Sequence, residues 1–106
     1  MSVTRFERSN SFKTQVAFYS GSSYVDPSGN MAHLIVYAPD GTEFLSGISG
    51  VRVSEGIYKY YIQTTSTDDL GLYIIDWYGN FNYGNPWDYE EKHEKEVIQL
   101  VNVIQS

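Results

Sequence analysis

The chain has 106 residues, of which 42% are hydrophobic and 16% aromatic, and its formal net charge is −6. This length suits a single domain with its own core, and the composition is that of an ordered globular protein. The acidic balance argues against a nucleic-acid surface, which needs clustered Lys and Arg. The absence of cysteine excludes disulfides, thiol catalysis and thiolate metal sites.

The N-terminal segment MSVTRFERSN contains no apolar run. The sequence therefore predicts neither a signal peptide nor a transmembrane segment, and we expect assembly in a cytoplasm. Residues 1–13 exceed what a minimal domain needs and are expected to form an N-terminal arm. Its basic residues Arg5, Arg8 and Lys13 are interpreted as an ordinary solvated group.

Short apolar runs closed by turn residues follow one another along the chain, at the spacing typical of an all-β domain. The predicted strands are 14–20, 31–38, 43–48, 51–53, 56–65, 71–79 and 95–104. The last run begins with helix formers, but its second half is β-branched and alternating, which favours a strand. Seven strands in one domain spanning 1–106 suit a β-sandwich better than a closed barrel.

Alternation within the two strongest strands predicts which side chains enter the core. Tyr58 and Tyr60 share one face of the run at 56–65, and Tyr73 and Trp77 share one face of the run at 71–79. Asp76 marks the opposite face of that second run as the wetter one.

The stretch DLGLYII at 69–75 matches the pattern of a tyrosine corner. In such a corner a tyrosine at the start of a strand folds its hydroxyl back onto backbone a few residues upstream. Gly71 leaves room for the ring and hydroxyl of Tyr73 to approach. We therefore predict a structural tyrosine that fixes the connection between two sheets, rather than a catalytic phenol.

Several motifs together resemble the small immunoglobulin-like proteins encoded among the head and neck genes of tailed bacteriophages. The matching segments are Asp-Pro at 26–27, YAPDGT at 37–42, GIYKY at 56–60 and LGLYIIDW at 70–77. The resemblance covers about residues 24–79. The same pattern occurs in macroglobulin-like and bacterial surface immunoglobulin-like domains, but a single cysteine-free copy favours the virion family.

The resemblance implies a single immunoglobulin-like β-sandwich of about seven antiparallel strands. It also implies a non-enzymatic structural protein of the virion, as a neck, head–tail connector or capsid decoration component. Its partners would be capsid, portal, connector or tail subunits, met in a multi-copy assembly, with neither nucleic acid nor membrane as a partner.

The segment 80–94 is predicted to be a long aromatic and acidic loop, and loops of this kind often carry function. Its rings have three open interpretations: packing on the domain's own end, anchoring a protein partner, or stacking on a sugar. The last would make the chain an adhesion or carbohydrate-binding module. The candidate interaction residues are Phe81, Tyr83, Trp87, Tyr89, Glu90 and Glu91.

No motif predicts catalysis, a cofactor or a metal site. His33 and His93 lie on different segments, and HEKE at 93–96 is not the spacing of a zinc metalloprotease. The sequence has neither a nucleophile elbow nor a phosphate loop. The carboxylates around 88–96 lack the spacing of a calcium loop and are interpreted as a solvated acidic surface or a contact for a basic partner.

Overall fold

The computed structural model describes residues 4–82 and 89–102, and over these ranges the chain is all-β, as predicted. One short 3₁₀ turn spans Ser28–Asn30, and no α-helix occurs in the described ranges. Described strands are β1 Thr4–Glu7, β2 Ser11–Ala17, β3 Tyr19–Ser20, β4 Ser23–Tyr24, β5 His33–Tyr37, β6 Glu43–Ser49, β7 Val51–Ser54, β8 Ile57–Gln63, β9 Gly71–Asn82 and β10 Tyr89–Val101.

The strands form two main sheets. The five-stranded sheet has the order β1-β10-β9-β5-β6, the three-stranded sheet has the order β2-β8-β7, and β3 and β4 form a separate small hairpin. β1 runs parallel to β10, whereas the other neighbours are antiparallel. The architecture is therefore sandwich-like, with one mixed sheet and one antiparallel sheet.

The core lies between the two main sheets and contains side chains from both. Tyr58, Tyr73 and Trp77 are buried, as the alternation predicts, whereas Tyr60 is half-buried at the margin. Each fully buried large apolar side chain contributes roughly 1.5–3 kcal/mol through area removed from water. The buried hydrophobic residues are Phe12, Val16, Phe18, Ala32, Leu34, Val36, Tyr58, Ile62, Tyr73, Ile75, Trp77, Phe81, Ile98 and Leu100.

The predicted N-terminal arm at 1–13 is wrong for the residues that the structure describes. Thr4–Glu7 is a strand paired with β10, and β2 already begins at Ser11. Phe6 stacks on Phe12, with ring centroids 4.1 Å apart. This edge strand has only four residues, and its partner lies at the other end of the chain. No pattern in the neighbouring sequence therefore predicts it.

The predicted loop at 80–94 is largely a continuation of the β9–β10 hairpin. Pairing extends to Asn82 opposite Tyr89, so most of that segment is strand. Asn, Gly and charged residues are depleted in buried strands, but they are compatible with the exposed end of a hairpin. The prediction of a strand for the final apolar run is confirmed, and β10 starts six residues earlier than predicted.

Asp26 joins the segment after β4 to the β7–β8 hairpin. Its Oδ1 accepts hydrogen bonds from the Tyr58 hydroxyl at 2.8 Å, the Gly56 amide at 2.9 Å and Arg52 Nε at 3.1 Å. Its Oδ2 accepts a further hydrogen bond from Arg52 Nη2 at 2.8 Å. The Arg52 hydrogen bonds, followed by those from Gly56 and Tyr58, lower the pKa of Asp26 to about 2. Burial, together with the Asp26 carboxylate, raises the pKa of Tyr58 to about 12.

Tyr73 makes the contact that a tyrosine corner requires. Its hydroxyl donates to the Asp69 carbonyl oxygen at 2.7 Å, and its ring packs edge-on against Phe44 with centroids 5.5 Å apart. Gly71 has φ +134°, and a Cβ there would lie 3.1 Å from Pro39 Cγ. Glycine is therefore favoured at this position for two reasons: it adopts the positive φ readily, and it leaves room for the turn at Pro39.

Replacing Tyr73 with Phe is expected to lower the free energy of unfolding by about 1 kcal/mol, because it removes one part-buried hydrogen bond and leaves the ring in place. Chemical denaturation of both proteins measures the difference. An unchanged unfolding midpoint would show that the hydroxyl does not stabilise the chain crossing.

Candidate interaction surfaces

The outer face of the five-stranded sheet carries exposed aliphatic side chains. On β9, Leu72 is 51% exposed and Ile74 is 41% exposed, and on β10 Val97 is 36% exposed. The register places Val97 and Tyr37 on either side of Ile74. Three adjacent strands therefore present a continuous apolar strip on the side of the sheet that faces away from the core.

This strip lines a groove of about 610 Å³, which we call the apolar groove. The turn between β5 and β6 adds Ala38, Pro39 and Gly41 to its lining, and Asp76 and Lys95 contribute the charged groups. The groove is thus mostly aliphatic with charge at its border, which is the composition of an interface rather than of a solvated sheet face.

A ladder of aromatic rings continues the same face beyond the apolar groove. The ring centroids of His33 and Tyr78 are 5.5 Å apart, and those of Tyr78 and His93 are 5.6 Å apart. His93 Nδ1 lies 3.0 Å from the buried Asp76 carboxylate, and Nε2 lies 2.6 Å from Glu91 Oε1. Hydrogen bonding to Asp76, and then to Glu91, raises the pKa of His93. The ladder therefore forms an ordered, acidic extension of the apolar groove.

The outer face of the three-stranded sheet differs in charge. Its register places Lys13 beside Tyr61 and Lys59 beside Val51. Val51 and Tyr61 are 58% and 57% exposed, and Lys59 Nζ lies 5.5 Å from the Tyr61 ring centroid. We call this surface, formed by Lys13, Gln15, Val51, Lys59 and Tyr61, the basic face.

Of the predicted interaction residues, the structure describes the side chains of Phe81 and Glu91. Phe81 is 2% exposed and packs edge-on against Phe18, with centroids 5.4 Å apart, so Phe81 belongs to the core rather than to an exposed anchor. Glu91 is exposed and bonded to His93.

The remaining predicted interaction residues lie outside what the structure describes. Tyr83 and Trp87 fall between the two described ranges, and the side chains of Tyr89 and Glu90 lie outside the described part as well.

Sequence reasoning missed the apolar groove, although β9 carried a signal for it. Leu72 and Ile74 alternate with the core residues Tyr73 and Ile75, so both faces of this strand are apolar before Asp76. In a two-layer protein one of those faces must lie outside the core. Asp76 led to the interpretation that the face with Leu72 and Ile74 is exposed to solvent. The Asp76 carboxylate is itself covered, because only 10% of its side chain is exposed.

The described ranges contain no cluster of three or more His, Asp or Glu side chains arranged to hold a metal ion. A helix long and apolar enough to cross a membrane is likewise not found in this part of the chain.

No protein-family model, no curated protein and no solved structure matches this chain.

Proposed function

We propose that this chain is an immunoglobulin-like structural module of a tailed-bacteriophage virion. It acts without catalysis, as a neck, head–tail connector or capsid decoration component, through protein–protein assembly in the host cytoplasm. The proposal combines the motif resemblance at 24–79 with the two contact surfaces on opposite sides of a sandwich.

The strand order supports the immunoglobulin-like assignment. In such sandwiches the second, fifth and fourth strands of the fold pair in one sheet, and the third, sixth and seventh pair in the other. The order β2-β8-β7 agrees with the first arrangement, and β10-β9-β5 agrees with the second, with β6 as the additional strand of the variable type. The hydrogen bond from Tyr73 to Asp69 lies at the start of the corresponding sixth strand, where a tyrosine corner belongs.

The observation that carries an assembly role is the apolar groove. Leu72, Ile74 and Val97 expose a third to a half of their surface on a rigid central pair of strands. Exposed aliphatic side chains that line a groove and are bordered by charge are typical of protein contact sites. Because the backbone of these paired strands is already ordered, covering them with a neighbouring subunit costs little backbone entropy.

Particles of the source phage should contain this chain in several copies per particle, measured by quantitative mass spectrometry after density-gradient purification. A Leu72→Lys and Ile74→Lys double variant should fold but be lost from the particles, because two ammonium groups would have to be desolvated in the apolar groove. Leu70→Lys provides the matched control, since Leu70 is 43% exposed and does not line the groove. Absence of the wild-type chain from purified particles, together with binding on a glycan array, would instead support an adhesion or carbohydrate-binding module.

A further inference from the structure

We propose that the apolar groove of one copy binds the basic face of a second copy of the same chain. The contact is heterologous, because it joins two different surfaces, and it repeats from copy to copy. This inference rests on the assembly function proposed above and identifies the neighbouring subunit that fills the groove.

The two main sheets differ sharply in charge. Strands β2, β7 and β8 contain Lys13, Arg52 and Lys59 and no acidic residue, in a chain of net charge −6. Arg52 is already paired with Asp26 at 2.8 Å, whereas Lys13 and Lys59 have no ion pair within the described residues. Two lysines are therefore available to a partner on a face with no acidic strand residue.

The outer face of the five-stranded sheet has the opposite charge balance. By its register with Leu72, Ile74 and Val97, this face carries the acidic residues Glu7, Glu43, Asp76 and Glu91 and the basic residues Arg5 and Lys95. Glu94 and Glu96 alternate with these residues on β10 and lie on the other side of the sheet, where Glu96 accepts a hydrogen bond from Thr14. Contact between two copies of this sheet would bring carboxylates together, as contact between two basic faces would bring lysines together, and like charges at an interface cost free energy. Only contact between the two different faces brings opposite charges together.

The apolar parts of the two faces also match in kind. Val51 lies beside Lys59 and Tyr61 lies beside Lys13 on the basic face, and both are more than half exposed. The apolar groove offers Leu72, Ile74 and Val97 as a surface to cover them. In this contact Lys13 and Lys59 neighbour the carboxylates of the acidic sheet, and tyrosine supplies the large, rigid side chain that interface centres favour.

The size of the basic face sets the strength of the contact. Two strands of seven residues and one of four, about 4.8 Å apart, cover roughly 290 Å² in projection. That is below the approximately 800 Å² per partner of a standard stable interface. A single pair should therefore associate weakly and respond to salt, and stability should come from repetition, which closes into a ring or continues as a filament.

Sedimentation velocity of the full chain at up to millimolar concentration tests this inference. Wild-type protein should form a concentration-dependent series of oligomers at about 50 mM salt and lose most of them at about 500 mM salt. A basic-face variant, Lys13→Glu with Lys59→Glu, should remain monomeric, and so should the groove variant, Leu72→Lys with Ile74→Lys. Arg8→Glu with Lys92→Glu makes the same change in net charge at residues that belong to neither surface, and this variant should self-associate as the wild type does.

Mixing the two defective variants gives the decisive measurement. The basic-face variant retains an intact groove and the groove variant retains an intact basic face, so the mixture should form one-to-one dimers and nothing larger. Continued self-association of the basic-face variant, or the absence of dimers in the mixture of folded variants, would overturn the inference.

The two proposals fail in different ways. If wild-type protein stays monomeric at low salt but groove variants are still lost from particles, the groove binds a different virion protein and only the inference is wrong. If the complementary dimers form but the chain is absent from particles, self-assembly stands and the virion function is wrong.

Discussion

Asp26→Ala is expected to lower the free energy of unfolding by about 3 kcal/mol, because hydrogen bonds to a charged group are each worth more than neutral ones. The Tyr58 hydroxyl donates to Asp26 at 2.8 Å, and Tyr58 is fully buried. Removing the carboxylate leaves that hydroxyl without its acceptor and releases the Gly56 amide and both Arg52 contacts. Thermal unfolding should show a midpoint lower by roughly 12–24 °C.

The same residue predicts a pH dependence with a defined sign. The pKa of Asp26 is about 2 in the folded chain, against an ordinary value of 3.8. A lowered folded pKa means that the contribution is fully present above about pH 4 and is lost as the pH falls from about 4 to about 2. Asp26→Asn should remove this part of the acid dependence, which denaturation at pH 2, 3, 4 and 6 measures for both proteins.

Asp40 provides the matched control for the alanine substitution. Its carboxylate accepts hydrogen bonds from the Thr42 amide at 3.0 Å and the Thr42 hydroxyl at 2.6 Å, within an exposed turn. Asp40→Ala should lower the free energy of unfolding much less than Asp26→Ala does, since the groups that it releases can bind water. Equal losses for the two alanine variants would show that the Asp26 network does not stabilise the contact between the segment after β4 and the β7–β8 hairpin.

The sequence predicted those features of the fold that depend on residues close together in the chain. Side chains around Tyr73 and Trp77 alternate between the two faces of one strand, and this pattern can be read from neighbouring residues. The burial of both residues therefore follows from the sequence. The corner contact of Tyr73 reaches only four residues back to Asp69. The pairing of Thr4–Glu7 with β10 instead joins opposite ends of the chain, and no window of sequence contains both partners.

The candidate site was hidden for a related reason. Leu72 and Val97 become one surface only when β9 and β10 pair in the observed register, and neither run alone shows that their outward-facing side chains are neighbours. Part of the charge asymmetry could have been read from the sequence, because the predicted strands containing Arg52 and Lys59 have no acidic residue. Lys13 was instead placed in the N-terminal arm, whereas β2 includes it. The asymmetry became informative only once those strands were known to form one sheet.

Gly50→Ala is expected to destabilise the protein by about 3 kcal/mol, the upper part of the range for overpacking a filled core. Gly50 lies between β6 and β7, where the chain passes from one sheet to the other, and its amide donates to the Ala32 carbonyl at 2.8 Å. A Cβ there would lie 2.5 Å from Trp77 Cζ3 and 2.7 Å from Cη2, with the Lys59 carbonyl at 3.3 Å. Trp77 is 1% exposed, and its Nε1 donates to Thr14 Oγ1 at 3.0 Å, so moving the indole away from a Cβ at position 50 would disturb this hydrogen bond.

A double-mutant cycle separates this steric conflict from a general backbone effect. Phenylalanine lacks the Cζ3 and Cη2 atoms of the indole, so Gly50→Ala should cost less in a Trp77→Phe background, with a coupling energy of at least about 1 kcal/mol. Gly21→Ala is the control, since a Cβ there meets nothing within 4 Å and only the positive φ of +64° opposes it; it should cost about 1–2 kcal/mol and show no coupling to Trp77. Additive losses for Gly50→Ala and Trp77→Phe would mean that the crossing requires glycine for its backbone, and that the indole does not set how closely the chain passes the core.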